Sequence, residues 1–90
     1  MARFELMALE NAAIGQGNAA GDIFYRLGLL YCIGGEDVAA DKVAAHKWFN
    51  LGAARGNGDA TRLRRELADE MSDAEIASAQ RAAREWLTTH

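Results

Sequence analysis

The sequence predicts a single all-α domain of about five antiparallel helices across residues 1–90. Apolar residues recur three and four positions apart in successive segments, which is the spacing of one helix face. Runs that alternate apolar and polar residues are short, and β-branched residues are few, so the composition disfavours strands. The chain contains no proline, and its 90 residues are enough for one domain with a modest core.

The first predicted helix covers residues 3–14. Its apolar face carries Phe4, Met7 and Leu9, which together form too large a patch to face water. We expect this face to be covered, either because the helix folds onto the rest of the chain or because two chains share it. Of these two arrangements, the monomer is favoured over the homodimer.

A helical hairpin is predicted next, across residues 22–56. Its first helix has an apolar stripe that consists of Ile23, Leu27, Leu30 and Tyr31. Gly28 lies within this stripe, where a glycine costs about 0.8–1 kcal/mol relative to alanine. We therefore expect a second backbone to approach the helix closely at this position.

The second helix of the hairpin is predicted over residues 38–55. Gly34 ends the helix before it, and either Asp37 or Asp41 begins the new helix by placing negative charge at the positive end of the helix dipole. Gly56 ends this second helix. Trp48 is expected to wedge against the first helix near Gly28, as a core residue and not as a ligand-stacking one.

Ten positions of the hairpin carry a resemblance to a known family: Leu27, Gly28, Tyr31, Gly34, Val38, Asp41, Ala45, Trp48, Ala53 and Gly56. Their types and spacing are similar to the Sel-one-like repeat, a subclass of the tetratricopeptide superfamily. Glu36 departs from that pattern, because it stands where the family has a second turn glycine. The resemblance implies a short α-solenoid, with one complete repeat at 22–56 and a degenerate capping helical pair at 57–90.

Two further helices are predicted after the hairpin. Asp59 is expected to cap the first of them, whose apolar face consists of Ala60, Leu63, Leu67 and Met71. Ser72 and Glu75 have the spacing of a capping box, which predicts the start of the last helix. The apolar face of that helix consists of Ile76, Ala79, Ala83, Trp86 and Leu87.

Charge and cysteine content restrict the function classes. The net charge of −3 and the acidic residues that follow the arginines at 62–65 make nucleic-acid binding unlikely, because mixed signs are typical of a solvated helix face. Cys32, the single cysteine, requires no oxidising compartment and is expected to be buried or half-buried. No run of 18 apolar residues is present, so we expect a cytoplasmic protein without a membrane span.

Candidate catalytic and metal-binding residues are few. His46 has no Cys, His, Asp or Glu three or four residues away, and His90 is the last residue. No glycine-rich segment follows a strand in the manner of a phosphate loop. We therefore predict no catalytic residue, no metal site, no cofactor and no enzyme activity.

The first helix of the hairpin has a second face, which the hairpin itself does not cover. This face consists of Asp22, Tyr25, Leu29, Cys32 and Ile33. In proteins that this chain resembles, first helices line a concave surface that binds partner segments. We predict a protein-interaction adaptor with this face as the binding surface. The alternative is that a flanking helix or a second copy of the chain covers this face. The alternative functions are a small helical enzyme or a ligand-binding domain with convergent polar groups between its helices.

Overall fold

The structure, a computed structural model, describes residues 19–90, and within that range it contains four α-helices and no strand. The helices are α1 (Ala20–Ile33), α2 (Lys42–Ala54), α3 (Gly58–Ala68) and α4 (Asp73–Thr89). The all-α prediction is confirmed for these residues. The predicted helix at 3–14 lies outside the described residues. The choice between monomer and homodimer was argued from the apolar face of that helix, so it stays a prediction.

The connection between α1 and α2 is longer than predicted. Gly34 has a φ of 77° and ends α1, and its N–H donates to the carbonyl of Leu30 at 2.8 Å. The Asp41 N–H donates to the carbonyl of Tyr31 at 2.9 Å, which ties the end of the connection back to α1. The Asp41 carboxylate accepts the Ala44 N–H at 3.1 Å and caps α2. Of the two predicted starting residues, Asp41 is therefore confirmed, whereas the predicted boundary at residue 38 was wrong.

The connection between α2 and α3 is short. Gly56 has a φ of 87° and follows the end of α2, as predicted. The residue that caps α3 is Asn57, whose side-chain oxygen accepts the Ala60 N–H at 2.8 Å. The prediction of Asp59 as the cap was wrong, because the extended backbone of the cap falls at residue 57 and Asp59 lies in the first turn of α3.

The start of α4 agrees with the prediction. The Ser72 hydroxyl accepts the Glu75 N–H at 3.1 Å, and the Glu75 carboxylate accepts the Ser72 N–H at 2.9 Å. This reciprocal pair satisfies two amides that the helix cannot bond internally. The capping box is therefore confirmed.

Helix α2 lies at the centre of the described part of the chain. It packs against α1, α3 and α4, and α3 also touches α1. The arrangement is compact, with a radius of gyration of 12.0 Å over the Cα atoms. The solenoid arrangement, with a repeat at 22–56 and a capping pair at 57–90, stays a prediction.

The first core cluster joins α1, α2 and α4 through three aromatic rings. The Phe24 ring lies 5.8 Å from the Trp48 ring and 5.2 Å from the Trp86 ring, and the two indoles lie 5.6 Å apart. Trp48 is only 1% exposed, so its assignment as a core residue is confirmed. The buried members of this cluster are Ala20, Phe24, Leu27, Trp48, Leu51, Ala83 and Trp86.

The second core cluster joins α1, α2 and α3. Its buried members are Ala45, Phe49, Ala60 and Leu67, with Leu63 and Met71 half-buried against them. The ring of Phe49 lies against Gly28. The sequence had predicted that Trp48 would lie there and that the backbone of the second helix would come close to Gly28. That prediction was wrong because Trp48, one residue earlier on α2, points instead at Phe24 and Trp86.

Helix α4 contributes less to the core than its sequence suggests. Ala79, Ala83 and Trp86 are buried, and Ile76 is half-buried. Leu87 is 51% exposed, so its assignment to the apolar face was wrong. Because Leu87 follows Trp86 directly, it lies about 100° further round the helix, away from α2.

Candidate functional site

The predicted partner-binding face is divided in the structure. Tyr25 and Leu29 are half-buried, and both pack against the second core cluster. The Tyr25 ring lies 6.2 Å from the Phe49 ring. These two side chains therefore hold α1 against α2 and α3, and only part of their surface faces solvent.

The remaining three residues of that face are exposed, but they lie at opposite ends of α1. Asp22, in the first turn, accepts a hydrogen bond from the Asn57 side chain at 2.9 Å and so links α1 to the cap of α3. Cys32 and Ile33 lie in the last turn, and Ile33 is 76% exposed. The expectation of a buried or half-buried Cys32 was wrong, because the last turn of α1 extends past the residues that cover it.

A small pocket lies next to the exposed end of α1. It has a volume of about 110 Å³ and a mostly apolar wall, and its lining residues are Leu30, Gly34, Gly35, Glu36, Asp37 and Val38. Glu36 and Asp37 are exposed at its edge. The last turn of α1 contains no basic residue, so the negative end of the helix dipole adds to the acidic charge here.

A larger and more polar cleft lies between α2, α3 and α4. It is open to solvent and has a volume of about 380 Å³. Its lining residues are His46 and Asn50 from α2, Arg64, Arg65 and Ala68 from α3, and Ile76 and Gln80 from α4. Arg64 donates a hydrogen bond to the Asn50 side-chain oxygen at 2.7 Å, which fixes the guanidinium group beside α2.

His46 is the most buried polar side chain of this cleft. It is 3% exposed, and its Nδ1 atom is buried without a hydrogen-bond partner in the part of the chain that the structure describes. Burial, and secondarily the positive charge of Arg64, lowers the pKa of His46 below its ordinary value of 6.5. The lowered pKa favours the neutral form of the imidazole near pH 7.

The sequence did not indicate this cleft. In the sequence, His46 and Asn50 are four residues apart on one helix, and this spacing alone indicates that they share a face. Arg64 reaches them only through the packing of α3 on α2. Because Arg64 belongs to another helix, no spacing along α2 relates it to His46.

Other charged groups have ordinary surface roles. Arg62 lies 3.6 Å from Asp59 and 3.0 Å from Glu66, so the predicted ion-paired face of α3 is confirmed at this residue.

Within residues 19–90, no three His, Cys, Asp or Glu side chains are grouped so that they could hold a metal ion. Across the same range, every helix is too short or too polar to cross a bilayer.

Comparisons with known proteins found no matching family model, no matching curated protein and no matching solved structure. The fold and the two surfaces therefore define the structural class of the protein and not its family. The class is a small all-α domain with an exposed apolar helix end and a basic polar cleft. The similarity to the Sel-one-like repeat stays a prediction from the sequence.

Proposed function

We propose that this chain is a cytoplasmic protein-interaction adaptor, without catalysis of its own, that binds a segment of a partner protein at the C-terminal end of α1. The observation that carries the proposal is Ile33, a large aliphatic residue that is 76% exposed in the last turn of a helix. Exposed aliphatic residues beside a pocket favour the docking of a partner's apolar side chain. Cys32 and the accessible edges of Tyr25 and Leu29 extend this surface along α1.

The charges around Ile33 define the partner's chemistry. The neighbouring pocket has room for one aliphatic side chain, and Glu36 and Asp37 stand at its edge. Acidic residues beside an apolar pocket favour a segment that carries Lys or Arg next to its apolar anchor. We infer a basic, amphipathic partner segment, which also argues against nucleic acid at this surface.

We also propose that the α1–α2 hairpin is one Sel-one-like repeat. Three motif residues, Leu27, Ala45 and Trp48, are buried where α1 meets α2. Gly34 and Gly56 have the positive φ angles that favour glycine where the two helices end. These positions support the proposal, and a solved structure of the whole chain with a clear superposition on that family would test it.

A display selection of random peptides against the immobilised full chain tests the adaptor proposal. The selected peptides should share an aliphatic residue flanked by Lys or Arg. In fluorescence polarisation, Ile33→Lys should weaken their binding about tenfold or more, because it places a charge at the anchor. Leu87→Lys is the matched control, since it introduces the same charge at an exposed aliphatic residue of α4. Acidic consensus peptides, or equal affinity for Ile33→Lys and wild type, would contradict the proposal.

Ligand binding is the second candidate function, and the cleft around His46 is the observation that favours it. The sequence indicated only apolar or small residues between the helices. The structure instead brings polar groups from three helices together there.

A further inference from the structure

The cleft around His46 is lined by hydrogen-bond donors and positive charge. Arg64 and Arg65 come from α3, while Asn50 and Gln80 supply carboxamides from α2 and α4. Among the residues that the structure describes, none that lines the cleft is acidic. Within residues 19–90, no carboxylate lies within ion-pair distance of either arginine, whereas Arg62 on the same helix has two. Two guanidinium groups that line one cleft without a carboxylate partner among the described residues favour an anion in that cleft.

His46 provides an independent indication of a ligand. Its side chain forms part of the cleft wall and is 97% buried, yet Nδ1 has no hydrogen-bond partner among the described residues. Buried polar atoms are almost always satisfied, so an unsatisfied one marks a place where a further group is missing. A ligand in the cleft would add polar atoms beside the His46 side chain, which forms part of the cleft wall.

We propose that this cleft binds the phosphate group of a small phosphorylated molecule. A tetrahedral phosphate has oxygens that can accept from two guanidinium groups and from neighbouring amide donors at once, which a planar carboxylate does less well. The cleft volume of about 380 Å³ exceeds the needs of the phosphate alone. Ala68 and Ile76 form an apolar part of the wall against which the organic part of the ligand would lie.

Phosphate binding would also change the titration of His46. The charged residues that line the cleft together with His46 are Arg64 and Arg65 from α3, and α4 contributes the uncharged Gln80 and Ile76. Arg64 disfavours the protonated imidazole, and a bound anion beside it would oppose that effect. The pKa of His46 should therefore rise when the cleft is occupied.

NMR of the histidine ring signals in the full-length chain tests the proposal. Inorganic phosphate, sulfate, acetate and chloride are titrated at equal ionic strength, and the chain's two histidines are followed separately. Phosphate and sulfate should shift the His46 signals in a saturable manner and raise the pKa of His46 relative to chloride. The ring signals of His90, which does not line the cleft, should show no saturable shift. Saturable binding of acetate as tight as that of phosphate would overturn the assignment to phosphate. The absence of any saturable shift would overturn the site.

Charge-matched variants on α3 locate the binding. Arg64→Gln and Arg65→Gln should each raise the Kd for inorganic phosphate about tenfold, as expected for loss of a charge-assisted hydrogen bond. Arg62→Gln removes the same charge from the same helix outside the cleft, and it should change the Kd less than twofold. Arg65 is exposed, so its variant remains decisive if Arg64→Gln fails to fold. Equal losses in the Arg62 and Arg65 variants would mean attraction to overall charge only, and would overturn the site.

Discussion

The ring of Phe49 occupies the space that a side chain at position 28 would need. A Cβ atom added to Gly28 would overlap the Cδ1 and Cε1 atoms of that ring. Phe49 is fully buried and belongs to the cluster that joins α1, α2 and α3. The mid-helix glycine thus allows an aromatic ring of α2 to lie directly on the backbone of α1.

Gly28→Ala should destabilise the fold even though alanine is the better helix former. The substitution gains about 0.5–1 kcal/mol in the helix, but overpacking against a buried ring costs about 1–3 kcal/mol. We expect a net loss of about 1–2 kcal/mol in the free energy of unfolding, measured by urea denaturation. Gly58→Ala is the control, because a Cβ there meets nothing within 4 Å, and it should leave stability equal or higher. A Gly28→Ala variant as stable as Gly58→Ala would contradict this packing.

The core could be predicted from the sequence as a set of residues, but less well as a set of contacts. Helical periodicity identified Leu27, Ala45 and Trp48 as buried, because burial depends on which face of a helix a residue occupies. It did not decide whether Trp48 or Phe49 lies on Gly28. Trp48 and Phe49 are adjacent, so a rotation of α2 about its axis decides which of them faces Gly28. That rotation depends on α4, because Trp86 of α4 packs against the Trp48 indole in the first cluster.

Asn57 should contribute more to stability than Asp59, although the sequence favoured Asp59 as the cap. The Asn57 side chain satisfies the Ala60 amide and also donates to Asp22 on α1. Asn57→Ala should cost about 1–2 kcal/mol in unfolding free energy. Asp59→Ala removes only an exposed partner of Arg62 and should cost under about 0.5 kcal/mol. Equal losses in thermal or urea melts would place the cap at residue 59 instead.

Trp48→Ala should cause the larger loss. The indole is 1% exposed and contacts both Phe24 and Trp86, so truncation leaves a cavity at the junction of three helices. A loss of about 3–5 kcal/mol is expected, which is a large share of the stability of a domain of this size. Leu87→Ala, on the exposed side of α4, should cost under about 0.5 kcal/mol. A Trp48→Ala loss below about 1 kcal/mol would show that the indole is not part of the core.

The candidate sites were harder to predict than the core for a physical reason. The α1 surface follows from one helix, so the sequence could identify Cys32 and Ile33 as lying off the hairpin's packed face. Whether Tyr25 and Leu29 remain open depends on α3, which covers part of them. The cleft at His46 depends on three helices at once, and no local spacing records such an arrangement.

His46 should make the stability of the fold dependent on pH. Its pKa is lowered in the folded state, first by burial and then by Arg64, so the unfolded chain binds its proton more tightly. Between the folded pKa and the ordinary value of 6.5, the unfolded state holds more protons, and the free energy of unfolding therefore rises with pH. The stabilisation is complete above pH 6.5 and is lost as the pH falls through the folded pKa of His46.

Urea denaturation at pH 7.5, 6.5 and 5.5 measures this effect. Wild type should lose stability towards pH 5.5, with a slope of at most about 1.4 kcal/mol per pH unit for one proton. His46→Gln cannot titrate, so it should have a flatter profile over this range whatever its overall stability. Leu87→Ala is the control, since it changes an exposed side chain that does not titrate and should keep the slope of the wild type. Equal slopes for wild type and His46→Gln would mean that His46 keeps the same pKa in the folded and unfolded chain, and so is not buried as described.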